Sequence, residues 1–144
     1  MNINETMDIH FTFFPEASDV AEIYNGLVNF NSVHFADLDE KQVGVFIRDA
    51  DGNIAGGLTG KILYTTLHIN YLWVSDSIRS NGWGRTLLER VELEAKKVGV
   101  LRVCVDTYNF QAPDFYKKFG FSEIGRYADY PKKGFDKIFF QKNI

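Results

Sequence analysis

An α+β fold is predicted by three features of this 144-residue chain. The first is a pair of apolar runs flanking Asp49-Ala50-Asp51-Gly52-Asn53, where the Asp-Gly pair supplies positive φ for a hairpin between antiparallel strands. The second is Leu72-Trp73-Val74 followed by a polar turn with Gly82 and Gly84, and then an amphipathic stretch. The third is the order of the periodic segments, which reads βα, βββ, αβ, αββ. Helices and strands therefore alternate irregularly around one sheet, and no internal repeat, low-complexity tract or linker divides the chain. At this length one domain spanning residues 1–144 is expected.

Along the chain, Asp8–Phe14 reads as a strand through Ile9, Phe11 and Phe13. Pro15 opens a helix with Glu16 and Asp19 in its first turns, and Ile23, Leu27 and Phe30 form its apolar face. Asn31–Gln42 reads as a loop or short helical remnant before the strand Val43–Arg48. Beyond the hairpin, Gly56, Gly57 and Gly60 in the strand from Ile54 point to a bulge or a close backbone neighbour. Leu67–Val74 is the next strand.

The helix from Gly82 carries Leu87, Leu88, Val91 and Ala95 on one side. Glu89, Arg90, Glu92, Glu94, Lys96 and Lys97 fall mostly on the other, and Gly99 ends it. Leu101–Thr107 is a β-branched strand, Ala112–Phe119 a short helix stopped by Gly120, and Phe121–Tyr127 and Phe135–Gln141 two further strands.

Composition narrows the function. A net charge of −3, with basic residues scattered, gives no footprint for a nucleic-acid backbone. No apolar stretch approaches the roughly 20 residues that span a bilayer, and Met1–Asp8 lacks the pattern of a signal peptide, so a cytoplasmic protein without membrane partners is expected. The single cysteine, Cys104, excludes a disulfide frame within the chain and reads as a buried core thiol. Three isolated histidines make no metal motif, so no metal is expected. The 13 phenylalanines and 7 tyrosines fit either aromatic packing or an aromatic-walled pocket.

The turn after Val74 reads as an anion site. Glycines at 82 and 84 allow close approach, and amides of the turn and first helical turn can face a phosphate, assisted by the helix dipole. The same glycines also serve a plain strand-to-helix connection. A P-loop is disfavoured because no Lys-Ser/Thr follows them, and a dinucleotide fingerprint fails because its third glycine would fall at Leu87.

Arg79-Ser80-Asn81-Gly82-Trp83-Gly84 resembles the R/Q-x-x-G-x-G/A turn of the GNAT superfamily of acetyl-CoA-dependent N-acetyltransferases, with Val74 at that family's apolar strand position. Asn109-Phe110-Gln111-Ala112-Pro113-Asp114-Phe115-Tyr116 is similar to its later N-x-x-A-x-x-x-Y pattern. The continuation Lys117-Lys118-Phe119-Gly120-Phe121 stands in place of the usual Y-x-K-x-G-F. The resemblance spans about Leu72 to Phe121. It implies a mixed, mostly antiparallel sheet of six or seven strands flanked by helices, with a V-shaped opening between two central parallel strands.

It implies acetyl-CoA as acyl donor, its pyrophosphate held by amides from Asn81 to Arg85, a span that includes Gly82, Trp83 and Gly84. Arg79 would order the turn or approach the phosphates, and Trp83 would cover the cofactor or pack beside the helix. Pantetheine would meet exposed backbone at Leu72, Trp73 and Val74, where one good donor to a developing oxyanion is worth about 3 kcal/mol. Tyr116 matches the family's general acid, which protonates the departing thiolate, though a tyrosine there can also merely cap the pocket. Asn109 would bond the pantetheine arm or cap the helix near Gln111.

The amine must be neutral to attack, and the proton acceptor is His68, Asp106 or water. Ile23–Glu40 and Arg126–Phe135 would select the acceptor. They carry Tyr24, Phe30, His34, Phe35, Asp37, Asp39, Tyr127, Asp129 and Tyr130, a mixture of rings and carboxylates suited to a cationic small-molecule amine. Protein lysines or N-termini would suit the same acidic rim, and a noncatalytic acyl-CoA-binding or sensor domain would keep the turn without the chemistry. An exposed edge strand leaves a homodimer open.

Overall fold

A computed structural model of the chain describes residues 6–37 and 39–144. It resolves into two compact units that divide after Asp37. The reading of Met1–Asp8 falls largely on residues outside those described.

In the first unit, α1 (Ala17–Asn31) begins after Glu16, which stands in extended conformation without a side-chain cap bond. At its other end the Ser32 hydroxyl donates to Asn29 O at 2.7 Å. Residues 8–14, expected as a strand, form none. Alternation of apolar residues does not make a strand without a hydrogen-bonded neighbour. This segment instead makes local contacts. The Thr12 hydroxyl accepts the Phe14 amide proton, and Phe11 meets Phe13 edge to face. α1 has no buried residue, and Ile23, Leu27 and Phe30 are exposed.

The second unit holds a six-stranded sheet, β1 (Glu40–Arg48), β2 (Ile54–Leu63), β3 (Thr66–Val74), β4 (Arg102–Tyr108), β5 (Ser122–Tyr127) and β6 (Lys137–Asn143), in the spatial order β1-β2-β3-β4-β6-β5. All neighbours are antiparallel except β3 and β4. A short 3-10 turn (Asp76–Ile78), α2 (Trp83–Lys97) and α3 (Pro113–Lys118) complete it. Among the described residues the sheet thus has six strands and not seven, because residues 8–14 do not form the expected first strand.

The β1–β2 hairpin closes as its sequence requires. Asp49 Oδ1 accepts from the amides of Asp51 and Asn53, and Gly52 takes φ +84°. One face of the sheet buries Leu58, Ile62, Leu67, Ile69, Val103, Val105, Ile138 and Phe140 with Leu87, Leu88, Val91 and Ala95 of α2. The period-2 alternation of the strands selects those positions. Glu92, expected on the polar side of α2, is 9% exposed. Its carboxylate accepts from Lys142 Nζ at 3.0 and 3.1 Å, and that ammonium lies 4.3 Å from the Phe119 ring centroid. The paired charge ties α2 to β6 and to the end of α3, which is how a carboxylate survives burial.

Cys104 alternates out of this core and is only half buried, which corrects its reading as a core thiol. No helix among the described residues is long and apolar enough to cross a membrane.

Candidate active site

β3 and β4 pair over only four positions, from Thr66 opposite Arg102 to Ile69 opposite Val105. Beyond them β3 continues to Val74 and β4 to Tyr108 without bonding each other, which is the expected V-shaped opening. The divergence starts at a bulge. Thr59 of β2 faces Tyr71, but Gly60 faces Ile69, so Asn70 is the extra residue. The inward phase of β3 therefore shifts from Leu67 and Ile69 to Leu72 and Val74, while Asn70 and Tyr71 are both exposed.

Gly60 makes this possible. A Cβ there would stand 2.3 Å from His68 O. Glycine in the strand interior thus marks a close backbone approach, as the sequence indicated.

Backbone phase separates the three β3 residues expected to meet pantetheine. The Ser75 amide donates to Ala55 O at 2.8 Å, so Ser75 and Trp73 turn their backbone groups toward β2. Leu72 and Val74 turn theirs toward the opening. Trp73 is thus removed as a backbone partner on that side. The Val74 carbonyl is already taken, because it accepts from Arg79 Nε at 2.8 Å.

Arg79 also pairs with Asp76 at 2.6 Å, so it orders the turn. Asn81 Nδ2 donates to the carbonyls of Ile78 and Arg79, both at 3.1 Å, and closes the same loop. Ser80 and Gly82 take φ of +65° and +82°. The first helical bond of α2 runs from the Thr86 amide to Gly82 O, and no side chain caps the helix. The amides of Trp83, Gly84 and Arg85 therefore precede the first helical donor, Thr86, and the positive end of the dipole adds to them. Arg85 directs its side chain away to Glu89, at 2.7 Å.

The two glycines have different reasons. Gly82 needs its left-handed φ and has open space around a Cβ, whereas at Gly84 a Cβ would come 3.2 Å from Phe115 Cζ. Gly84 thus lets α3 pack against the first turn of α2.

That contact positions Tyr116. The residue is 5% exposed and held by rings on three sides, with centroids of Phe115, Phe121 and Phe140 at 5.2, 5.6 and 6.0 Å. Burial, and secondarily the charge of Asp106, push its phenol up to about 12. The hydroxyl therefore keeps its proton throughout the neutral range and can only donate it.

On the sheet face opposite α2, a cavity of about 590 Å³ is lined by His68, Asn70, Tyr71, Cys104, Asp106, Ile124, Lys137 and Phe139, among others. Burial, and then the Lys61 charge, hold the His68 imidazole below its usual value, so it is neutral at pH 7. Burial pushes the Cys104 thiol up, which keeps it from the thiolate form. Asp106 pairs with Lys137 at 3.6 Å.

Asn109 does not cap α3, whose cap residue is Ala112 with no side-chain bond. Instead Asn109 Oδ1 accepts the Asp136 amide proton at 3.2 Å, and the Asn109 amide donates to Asp136 O at 3.0 Å. Gln111 Oε1 accepts from the Tyr108 amide at 2.8 Å and shapes the same turn. Of the residues expected to select the acceptor, Tyr24, Phe30, His34, Phe35 and Asp37 lie in the first unit, while Asp39, Tyr127, Asp129 and Tyr130 lie in the second. Lys137 and Phe139 were missed, although their period-2 spacing on a strand puts both on one face. No group of three or more potential metal ligands occurs among the described residues.

Comparison with known proteins agrees with this geometry. Residues 3–121 match the family model described as acetyltransferase (GNAT) family. An acetyltransferase of Agrobacterium fabrum is 33% identical over 114 residues, which cover 75% of this chain and 83% of that protein. The blasticidin-S acetyltransferase of Streptomyces morookaense is 38% identical over 81 residues, 56% of this chain and 60% of that protein. A crystal structure of an acetyltransferase from Bacillus cereus superposes with a TM-score of 0.85 at 33% identity, covering 94% of this chain and 98% of that one. Two solved structures sharing the fold, at 18% and 20% identity, hold coenzyme A and acetyl coenzyme A respectively. The chain belongs to the GNAT family of acetyltransferases.

Proposed function

We propose that this protein transfers an acetyl group from acetyl-CoA to a primary amine of a small molecule by direct attack within a ternary complex. The observation that carries the reading is the opening of β3 from β4 at the Asn70 bulge, with the α2 amides at one end of it and the buried Tyr116 on α3, whose Phe115 meets the first turn of α2 at Gly84. The amides of Trp83, Gly84 and Arg85 would hold the pyrophosphate, and the Leu72 backbone would meet the pantetheine arm or thioester. Asn81 and Arg79 serve by holding the turn.

In the reaction the amine nitrogen bonds to the thioester carbonyl carbon, the carbonyl oxygen takes the negative charge, and collapse breaks the carbon–sulfur bond. Tyr116 donates its proton to the departing sulfur. A phenol at about 12 does not donate to water at neutral pH. It is a weaker acid than a free thiol of about 8.5, so the transfer depends on the poorly solvated thiolate developing beside it, whose own proton affinity rises away from water. His68 is the cavity residue suited to take the proton of the incoming amine, since its neutral imidazole has a free lone pair at pH 7. Asp106 is already engaged by Lys137. The raised Cys104 thiol speaks against a covalent acetyl relay. A small-molecule acceptor is supported by the relative named for blasticidin S.

The testing experiment is calorimetric titration with acetyl-CoA, followed in the same buffer by thiol release with a panel of amines. Binding with amine-dependent release is the expected result. Binding with no release from any amine would support an acyl-CoA sensor, and failure to bind would remove the transferase reading.

A further inference from the structure

Lys137 sits in surroundings made for a cation. Its ammonium lies 3.6 Å from Asp106 Oδ1 and 5.5 and 5.7 Å from the ring centroids of Tyr130 and Phe139. Tyr127 braces both rings, at 5.3 Å from Tyr130 and 4.8 Å from Phe139. The loop bearing Tyr130 is fastened at its base. Asp136 accepts from Arg126 Nη1 and from the Asp129 amide, while Asp129 accepts from the Gly134 amide. Two ring faces and a carboxylate at these distances attract an ammonium by quadrupole and by charge. Asp106, Lys137 and Phe139 also line the cavity that holds His68.

We infer that the Asp106–Tyr130–Phe139 cage is the acceptor's cation subsite, and that Lys137 is an internal occupant which an acceptor ammonium displaces. This rests on the acetyl-transfer reading and names the acceptor class within it. The lysine side chain is a quarter exposed and hangs on a flexible stem at the first position of β6, so it can swing out to solvent.

The nitrogen in the cage is not the one that reacts. A site that stabilises an ammonium makes its proton harder to remove, whereas the attacking amine must be neutral. The acceptor therefore carries at least two basic nitrogens, one held charged at the cage and one presented to the thioester. A tethered lysine at an effective concentration of about 10 mM, roughly ten times a millimolar intrinsic Kd for the cage, weakens a competing ligand by about tenfold.

The test titrates the protein with 1,4-diaminobutane, using 1,4-butanediol as the uncharged control, by calorimetry and by the ring resonances of Tyr127 and Tyr130. Lys137→Met should bind the diamine about tenfold tighter than the parent protein. Adding Asp106→Asn to it should abolish that gain, and the diol should not bind. Equal or weaker binding to Lys137→Met, or tyrosine resonances of the parent protein that do not move at saturation, would overturn the inference.

Acetyl-CoA is titrated into the same preparations. Intact acetyl-CoA binding with an unchanged diamine affinity would sink the cation subsite alone. Lost acetyl-CoA binding would instead sink the transfer reading, and with it the assignment of the caged cation to an acceptor.

Discussion

β3 and β4 are one strand pair with two halves of opposite character. From Thr66 to Ile69 the pair is bonded, and Leu67, Ile69, Val103 and Val105 are buried beneath it. From Asn70 onward the same strands stand apart, and Asn70, Tyr71, Trp73 and Asp106 are exposed. The bonded half has its backbone satisfied and contributes burial, at about 25 cal/mol per Å² of apolar surface. The open half leaves backbone groups of Leu72 unpaired toward the opening, which is what a ligand needs and what a core avoids. One inserted residue separates a stabilising element from a site, and each half should answer to different mutations.

The largest expected effect comes from the boundary. Gly60→Ala puts a methyl group 2.3 Å from the His68 carbonyl, a backbone atom that cannot rotate away. Unfolding in urea should show a loss of about 3 kcal/mol, the upper range for overpacking. A loss under 1 kcal/mol would mean that the bulge does not depend on this close approach, and the two halves would not be divided where we place them.

Tyr116→Phe addresses the open half alone. The ring and its three aromatic neighbours remain, so stability and acetyl-CoA affinity should stay near those of the parent protein. Turnover should fall about 100-fold, close to 2.7 kcal/mol of barrier. Because the phenol sits at about 12, no alkaline limb in the parent pH profile below pH 10 should belong to it. Unchanged turnover would leave Tyr116 as a packing residue, and the open half would lose its acid.

Gly82→Ala sharpens the comparison at a smaller scale. A Cβ at 82 meets nothing within 4 Å, so its cost is the left-handed φ alone, about 1–2 kcal/mol. That strain falls on the turn presenting the free amides. Acetyl-CoA affinity measured by calorimetry should drop several-fold while Gly84, whose role is contact with Phe115, stays in place. An affinity unaltered by Gly82→Ala would argue that the turn conformation is not what holds the pyrophosphate.

Much of this was legible in the residues because local chemistry dictates it. Asp49 and Gly52 specify the hairpin, Gly82 and Gly99 bracket α2, and the glycines of β2 announced a close neighbour. The errors share a cause. Asp8–Phe14 alternates like a strand, but pairing depends on a partner that alternation cannot supply. Glu92 looked like a surface carboxylate because its partner, Lys142, is 50 residues away. Asn109 matched a motif position, and nothing local foretold that its side-chain Oδ1 accepts the Asp136 amide proton from the other side of a loop. Lys137 was overlooked for the same reason, since its surroundings come from β4, β6 and the loop before β6, and only the folded sheet assembles them.

The smallest and most specific effect concerns His68, at the last stretch of bonded strand before the bulge. Burial, and then Lys61, lower its basicity below 6.5, so the neutral form is favoured in the folded protein. Any stability it contributes is present above pH 6.5 and is lost as pH falls from there through the folded value. If it takes the amine proton, kcat/KM should rise with pH through an inflection below 6.5, and His68→Gln should remove that inflection. Lys61→Met removes the lesser cause and leaves burial, so the inflection should move only part of the way back toward 6.5. An inflection that stays in place in Lys61→Met and persists in His68→Gln would assign proton removal to another group and leave His68 to the bonded half of the sheet.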